Sequence, residues 1–226
     1  MKLKFVFTAS IIVSLIGAIG FTLIAVLIGK NNMEWFDSRV IAFVQQWESP
    51  GLTKVMNGLS LLGAGTLNII LTVLIMLMLY FVFKHRWELL FFIGVIAGSA
   101  LLNVLLKAIF HRDRPTLHRL ADATGYSFPS GHSMAAFALY GVLCFLLWKH
   151  ARTALARTLL IVAGTVMILG IGISRIYLGV HYPSDVVGGY LASGTWLAVI
   201  IWFYQRWLER RRDREEMLVL RRPSRV

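Results

Sequence analysis

Eight residues of this 226-residue chain have types and spacings suited to handling a phosphate group: Lys107, Arg114, Ser130, Gly131, His132, Arg175, His181 and Asp185. They fall into three clusters, with Pro115 following Arg114, Pro129 preceding Ser130 and Ser174 preceding Arg175. Lys107 and Arg114 are seven residues apart, so a helix would put them on one face two turns apart, with Pro115 ending it. Two converging cations suit a phosphate dianion, Arg as a planar fork and Lys as a point charge. Ser130 is placed to cap a helix, Gly131 to let an anion approach the backbone, and a helix N-terminus favours negative charge. His132 would stand in the first turn, close enough to give a proton to a leaving oxygen. His181 and Asp185 are four residues apart across Tyr182-Pro183-Ser184. A carboxylate bonded to one imidazole nitrogen fixes the tautomer and leaves the other nitrogen free to attack. Attack on phosphorus would give a phosphohistidine, a covalent intermediate, and Arg175 would bind the same phosphate oxygens.

Polar residues near these clusters carry plainer expectations. Arg112 and Arg119 read as solvated loop residues, with Asp113 a partner for one of the neighbouring arginines. Cys144, the single cysteine, lies in an apolar segment and reads as packing, since no thiol or metal partners surround it.

The elements that position these residues must be membrane helices. The chain is 58% hydrophobic with a mean hydropathy of +0.71, more apolar surface than a soluble domain of this size could cover. Five uncharged runs, at 5–29, 58–83, 89–106, 158–174 and 186–204, have about the 20-residue length that spans a bilayer core. A sixth, at 133–148, reaches that length when 129–132 are added. The expected fold is all-α: one polytopic domain over 1–226, a bundle of six transmembrane helices. Lys2 and Lys4 resemble the start of a signal peptide, but the apolar run is longer than a cleavable signal needs, so an uncleaved first helix is expected. With the N-terminus inside, 15 of the 23 Lys and Arg residues fall on inner segments, which puts both termini in the cytoplasm. That topology brings all three clusters to the outer side, an agreement that scattered residues would not produce.

Between the first two spans, Trp35, Phe36, Ile41, Phe43, Val44 and Trp47 recur at helical spacing among Glu34, Asp37, Arg39 and Gln45. This predicts an interfacial amphipathic helix ended by Pro50-Gly51, either a plain surface helix or a lid. Residues 206–226 form a basic cytoplasmic tail that contributes much of the net charge of +12. Its expected partner is the anionic lipid surface. Nucleic acid is not expected, because the tail's arginines alternate with Glu209, Asp213, Glu215 and Glu216.

The ordered set Lys107-x6-Arg114-Pro115, Pro129-Ser130-Gly131-His132 and Ser174-Arg175-x5-His181-x3-Asp185 resembles the full signature of the type 2 phosphatidic acid phosphatases. The six-helix layout is similar too, and the small size and basic tail look most like the family's bacterial phosphatidylglycerophosphatase B-type members. The resemblance implies a lipid phosphate phosphatase of a bacterial cell membrane, acting at the outer leaflet on phosphatidylglycerophosphate, undecaprenyl pyrophosphate or phosphatidic acid. It implies His181 as nucleophile, Asp185 as its orienting partner and His132 as general acid. Lys107, Arg114, Ser130, Gly131 and Arg175 would hold the phosphoryl oxygens. The family needs no metal or other cofactor, and the outer carboxylates Glu34, Asp37, Glu48, Asp113, Asp122 and Asp185 show no clustering in the sequence. A lipid phosphotransferase using the same site, or a lipid transporter or scramblase with a headgroup groove, are the alternative readings of these residues. The transporter reading gives no reason for pairing His181 with Asp185.

Overall fold

Proline, serine and threonine positions set where the helices start. In the computed structural model the described residues are 2–63, 66–82, 86–116 and 118–220. They form eight α-helices and a π-helical turn: α1 (Lys2–Gly29), α2 (Glu34–Gln45), α3 (Pro50–Gly63), α4 (Thr66–Leu77) running into the π turn Met78–Val82, α5 (Arg86–Phe110), α6 (Gly131–Trp148), α7 (Ala154–Tyr177) and α8 (Pro183–Leu220). Pro50 and Pro183 occupy first helical positions, where a missing N–H costs nothing and the fixed φ already suits the helix. Ser130 caps α6 by accepting from the Ser133 N–H, and Thr153 caps α7 by accepting from Ala156.

Five helices are long and apolar enough to cross a membrane: the 9–29 part of α1, then α5, α6, α7 and most of α8. The second expected span is a broken one. Pro50–Gly63 and Leu67–Phe81 qualify only as a pair, bent by 44°, and residues 64–65 at the break lie outside the described residues. Counted together they give the six spans expected. Pro50 therefore opens a helix as well as ending the segment before it. α2, at 12 residues, is about 18 Å long and cannot cross a core of about 30 Å. It packs against the end of α7 and the start of α8.

The basic tail is helical as far as Leu220. α8 runs unbroken to Leu220, with Arg211–Glu215 and Arg212–Glu216 pairs one turn apart on its surface, an arrangement that supports an isolated helix. Residues 221–226 lie outside the described residues.

The inner half of the bundle is a continuous apolar core. Phe91, Phe92 and Val95 of α5 meet Ala138, Leu139, Val142 and Leu146 of α6, with Leu197 of α8 and Ile75 and Leu79 closing it. Trp87 and Trp207 stack at 4.2 Å below it. Outward-facing side chains such as Ile16, Ile19, Leu105, Leu159 and Val166 are apolar and exposed, as a lipid-facing surface requires. Cys144 is half-buried against Leu160 and serves packing.

Near its own start, α8 comes close to the start of α6. A Cβ on Gly189 would lie 2.9 Å from the Ser130 carbonyl oxygen and 3.1 Å from Ser133 Cβ. Overpacking of this kind costs about 1–3 kcal/mol, so Gly189→Ala should lower the thermal midpoint in detergent. Gly51→Ala, where nothing lies within 4 Å, should leave it unchanged or raise it through helix propensity. Equal midpoints for the two variants would contradict this account of α6–α8 contact.

Candidate active site

The C-terminal ends of α5 and α7 and the N-terminal ends of α6 and α8 converge. α5 ends at Phe110, with His111 in the left-handed region (φ 46). Arg114 is therefore beyond the helix, and the expected shared helical face with Lys107 does not exist. The chain leaves the helix at His111, four residues before Pro115, whose ring would in any case disfavour helical ψ at Arg114. Convergence comes instead from the 111–116 segment folding back over the site.

Arg114 is anchored by the backbone. Its Nε donates to the Gly125 carbonyl (2.9 Å), its Nη2 to those of Thr124 (2.9 Å) and Tyr126 (3.3 Å), and its Nη1 to that of Val180 (2.8 Å). The remaining Nη1 contact is His181 Nε2 at 3.1 Å. Guanidinium only donates, so Nε2 must be the acceptor and the ring proton sits on Nδ1. Nδ1 faces Ser127 Oγ at 3.3 Å and Asp185 Oδ2 at 3.5 Å. The second distance is long for a direct hydrogen bond, and Ser127, which itself donates to Oδ2, fills the gap as a bridge. Burial pushes the His181 pKa down to about 4, against the pull of the Asp185 carboxylate. The ring stays neutral through the neutral pH range, with the Nε2 lone pair accepting from Arg114 Nη1. Burial also lowers the pKa of Arg114, without threatening its charge.

Asp185, in the first turn of α8, is wholly buried. Oδ2 accepts from the Tyr182 N–H (2.8 Å) as well as from Ser127, and Oδ1 accepts from Arg112 Nη1 (2.7 Å). Its main-chain carbonyl takes the Ser130 N–H at 3.0 Å, which joins the second cluster to the third. At α6, the Ser130 hydroxyl bonds to Ser133, so it serves the helix cap. Asn103 on α5 donates to the Pro129 carbonyl (3.1 Å), and its Oδ1 would meet a Cβ on Gly131 at 3.0 Å. Gly131 thus also makes room for Asn103.

Arg175 ends α7 almost fully buried. Its Nη1 donates to Ser60 of α3, while its Nε finds no hydrogen-bond partner among the described residues. A buried donor left unpaired is costly, and an anion beside it would satisfy it. His132 is partly buried in the first turn of α6, where Arg175, His181, Lys107 and Arg114 all act on it electrostatically. Lys107 likewise feels Arg114, Asp185 and Arg175. All eight expected residues therefore share one locus: three cations, a helix N-terminus, and two imidazoles. Such a locus can bind a phosphoryl group, attack it from Nε2 and protonate what leaves.

Sequence reading missed four participants. Arg112, expected to be a solvated loop residue, sits between Asp185 and Asp37, its side chain 17% exposed. Asp37, Ser127 and Ser184 were not singled out. Asp37 lies at helical spacing with Met33, Ile41 and Val44, so an acid on the buried stripe of α2 was a usable signal. Ser127 and Ser184 offered none beyond adjacency to the clusters. The outer carboxylates are less scattered than expected, since Asp37 and Asp185 meet at Arg112, but among the described residues no three His, Cys, Asp or Glu side chains form a metal-holding group.

The chain is similar to known lipid phosphatases in sequence and in fold. Phosphatidylglycerophosphatase B of Bacillus subtilis (strain 168) is 35% identical over 172 residues, 75% of this chain and 84% of that protein. A lipid A 1-phosphatase of Rhizobium johnstonii is 33% identical over 121 residues, 49% of this chain and 44% of its own length. The crystal structure of a transmembrane PAP2-type phosphatidylglycerolphosphate phosphatase from Bacillus subtilis superposes with a TM-score of 0.79 at 30% identity, covering 85% of this chain and 96% of that one. The family model for the PAP2 superfamily matches residues 88–209, the stretch that contains every one of the eight residues, and the chain belongs to that superfamily.

Proposed function

We propose that this protein is a lipid phosphate phosphatase that works through a phosphohistidine on His181 Nε2, with its site open to the outer leaflet of a bacterial cell membrane and both termini in the cytoplasm. The observation that carries the reading is the state of His181: buried, neutral, protonated on Nδ1 toward Ser127 and Asp185, with Nε2 turned to Arg114.

In the first step the Nε2 lone pair attacks phosphorus as the bond to the lipid oxygen breaks. Arg175, Lys107 and the α6 N-terminus at Gly131 hold the equatorial oxygens, and the hydrogen bond that Arg114 Nη1 donates switches from Nε2 to a phosphoryl oxygen, with no proton transferred. His132 gives its proton to the departing alcohol. The phosphoimidazolium so formed is positive, and Asp185 stabilises it through Nδ1–H. In the second step water attacks phosphorus, loses its proton to His132, and the phosphorus–nitrogen bond breaks to release inorganic phosphate and neutral His181.

A site at the outer ends of membrane helices receives a headgroup whose chains stay in the bilayer, which supports a lipid substrate. The names of the Bacillus relative and of the solved structure point to phosphatidylglycerophosphate first, with undecaprenyl pyrophosphate and phosphatidic acid as further substrates. Orientation rests on the inner bias of Lys and Arg.

Phosphate release from phosphatidylglycerophosphate in detergent with excess EDTA tests the reading: wild type should turn over and His181→Ala should not, and near-normal turnover by that variant would sink it. General acid catalysis contributes roughly 10²–10⁴ in rate. His132→Ala should therefore lose about that much on a lipid substrate and far less on an aryl phosphate whose leaving group needs no proton. Equal loss on both would remove His132 from this role.

A further inference from the structure

Arg112 and Asp37 form a second layer behind the nucleophile. Arg112 Nη2 donates to Asp37 Oδ2 at 2.8 Å, while its Nη1 donates to Asp185 Oδ1 at 2.7 Å and to Ser184 Oγ at 2.7 Å. Asp37 in turn accepts the Ser184 N–H (2.8 Å) and hydroxyl (2.7 Å). The Arg112 guanidinium stacks over the Tyr182 ring at 4.1 Å, and its carbonyl takes the Ser127 N–H at 2.7 Å. Both carboxylates are almost completely buried. One planar fork thus reaches the orienting carboxylate, the start of α8 and an acid on α2, and its backbone holds the bridging Ser127.

We propose that Arg112 and Asp37 are positioning residues for the proposed phosphotransfer, fixing Asp185 for His181 and making helix α2 part of the machinery. This inference rests on the His181 nucleophile reading. With Oδ1 held by Arg112, Oδ2 is left facing Ser127 and Nδ1, so the carboxylate cannot rotate away from the ring. Charge supports the same role. Asp37, Arg112 and Asp185 sum to one net negative charge, which matches the positive phosphoimidazolium formed in the first step. Removing Arg112 leaves two buried carboxylates unscreened from each other, a state relieved by protonating one of them. Removing the charge of Asp37 leaves the pair neutral and less able to stabilise the intermediate. Neither residue reaches the phosphate, which is held by Lys107, Arg114, Arg175 and the α6 N-terminus, so substrate binding should be spared.

A cavity of about 810 Å³ lined by Asp37, Arg112, Asp113 and Tyr182 opens beside the fork and gives a small cation access to it. This permits a test that a purely structural role would fail. Misplacing a catalytic group by about 1 Å costs on the order of 100-fold, so Arg112→Ala should lose about that much in kcat on phosphatidylglycerophosphate, with KM within about threefold. Millimolar guanidinium should restore part of that loss in Arg112→Ala and none in His181→Ala. Arg112→Lys, which keeps the charge but not the fork, and Asp37→Asn, which keeps the shape but not the charge, should each lose about tenfold. The Arg112→Ala/Asp37→Ala double variant should be no worse than Arg112→Ala alone, since the two act as one unit. Arg39→Ala, on the exposed side of α2, should match wild type. Folding is checked by size exclusion and thermal midpoint; if Arg112→Ala does not fold, Arg112→Lys and Asp37→Asn carry the test. Wild-type kcat in these variants with an inactive His181→Ala overturns the positioning role alone. Losses that are additive and unmoved by guanidinium overturn it too. An active His181→Ala overturns the underlying reading.

Discussion

A carboxylate with no exposure to water must be surrounded by donors or give up its charge, and Asp185 collects its donors from three separate stretches of chain. Arg112 comes from the segment after α5, Ser127 from the approach to α6, and Tyr182 from the turn into α8. Its own carbonyl receives the Ser130 N–H. Satisfying this one side chain therefore draws together the segments next to Arg114, His132 and His181. The same demand reaches further, because Arg112 is itself half of a pair with Asp37, and through it α2 is held over the site. Losing a partner from such a buried arrangement leaves an uncompensated charge, which costs about 3–5 kcal/mol.

The membrane sets the second constraint. Only helices satisfy the backbone inside lipid, so irregular chain carrying the chemistry has to lie at the helix ends. The described residues between α5 and α6 are that irregular chain, and they are tied down by side chains in place of secondary structure: Arg114 spends its fork on the carbonyls of Thr124, Gly125 and Tyr126. The site is thus rigid where it must orient His181. Arg175 Nε, buried beside it without a partner among the described residues, is where an arriving oxygen gains most.

Much of this was legible in the sequence, for reasons that differ by residue. The helices show because apolar runs of bilayer length have few other uses, and Ser130 shows because a cap before an apolar run has a local signature. His181 and Asp185 show because four residues across a proline turn can meet. Arg114 lies near Lys107 for a reason other than the one expected: its helical spacing is undone where α5 ends at Phe110, and its position is fixed by contacts with residues about ten further along, which no periodicity records. Arg112 was misread because its partners, Asp37 and Asp185, are about 75 residues away on either side. Asp37 was visible in principle as an acid on an apolar stripe. The break between α3 and α4 falls in an apolar run whose composition gives no warning of it, and the helical course of α8 beyond the membrane follows from pairs such as Arg211 with Glu215.

The account turns on a bond between phosphorus and His181. Rapid acid-free quenching of a single turnover with substrate labelled in its terminal phosphate, followed by peptide mapping, would observe it directly. The account predicts label on the peptide that contains His181, stable to alkali, lost in acid, and absent from His181→Ala. Label on another residue, or a full turnover in which no enzyme-bound phosphate forms, would contradict it.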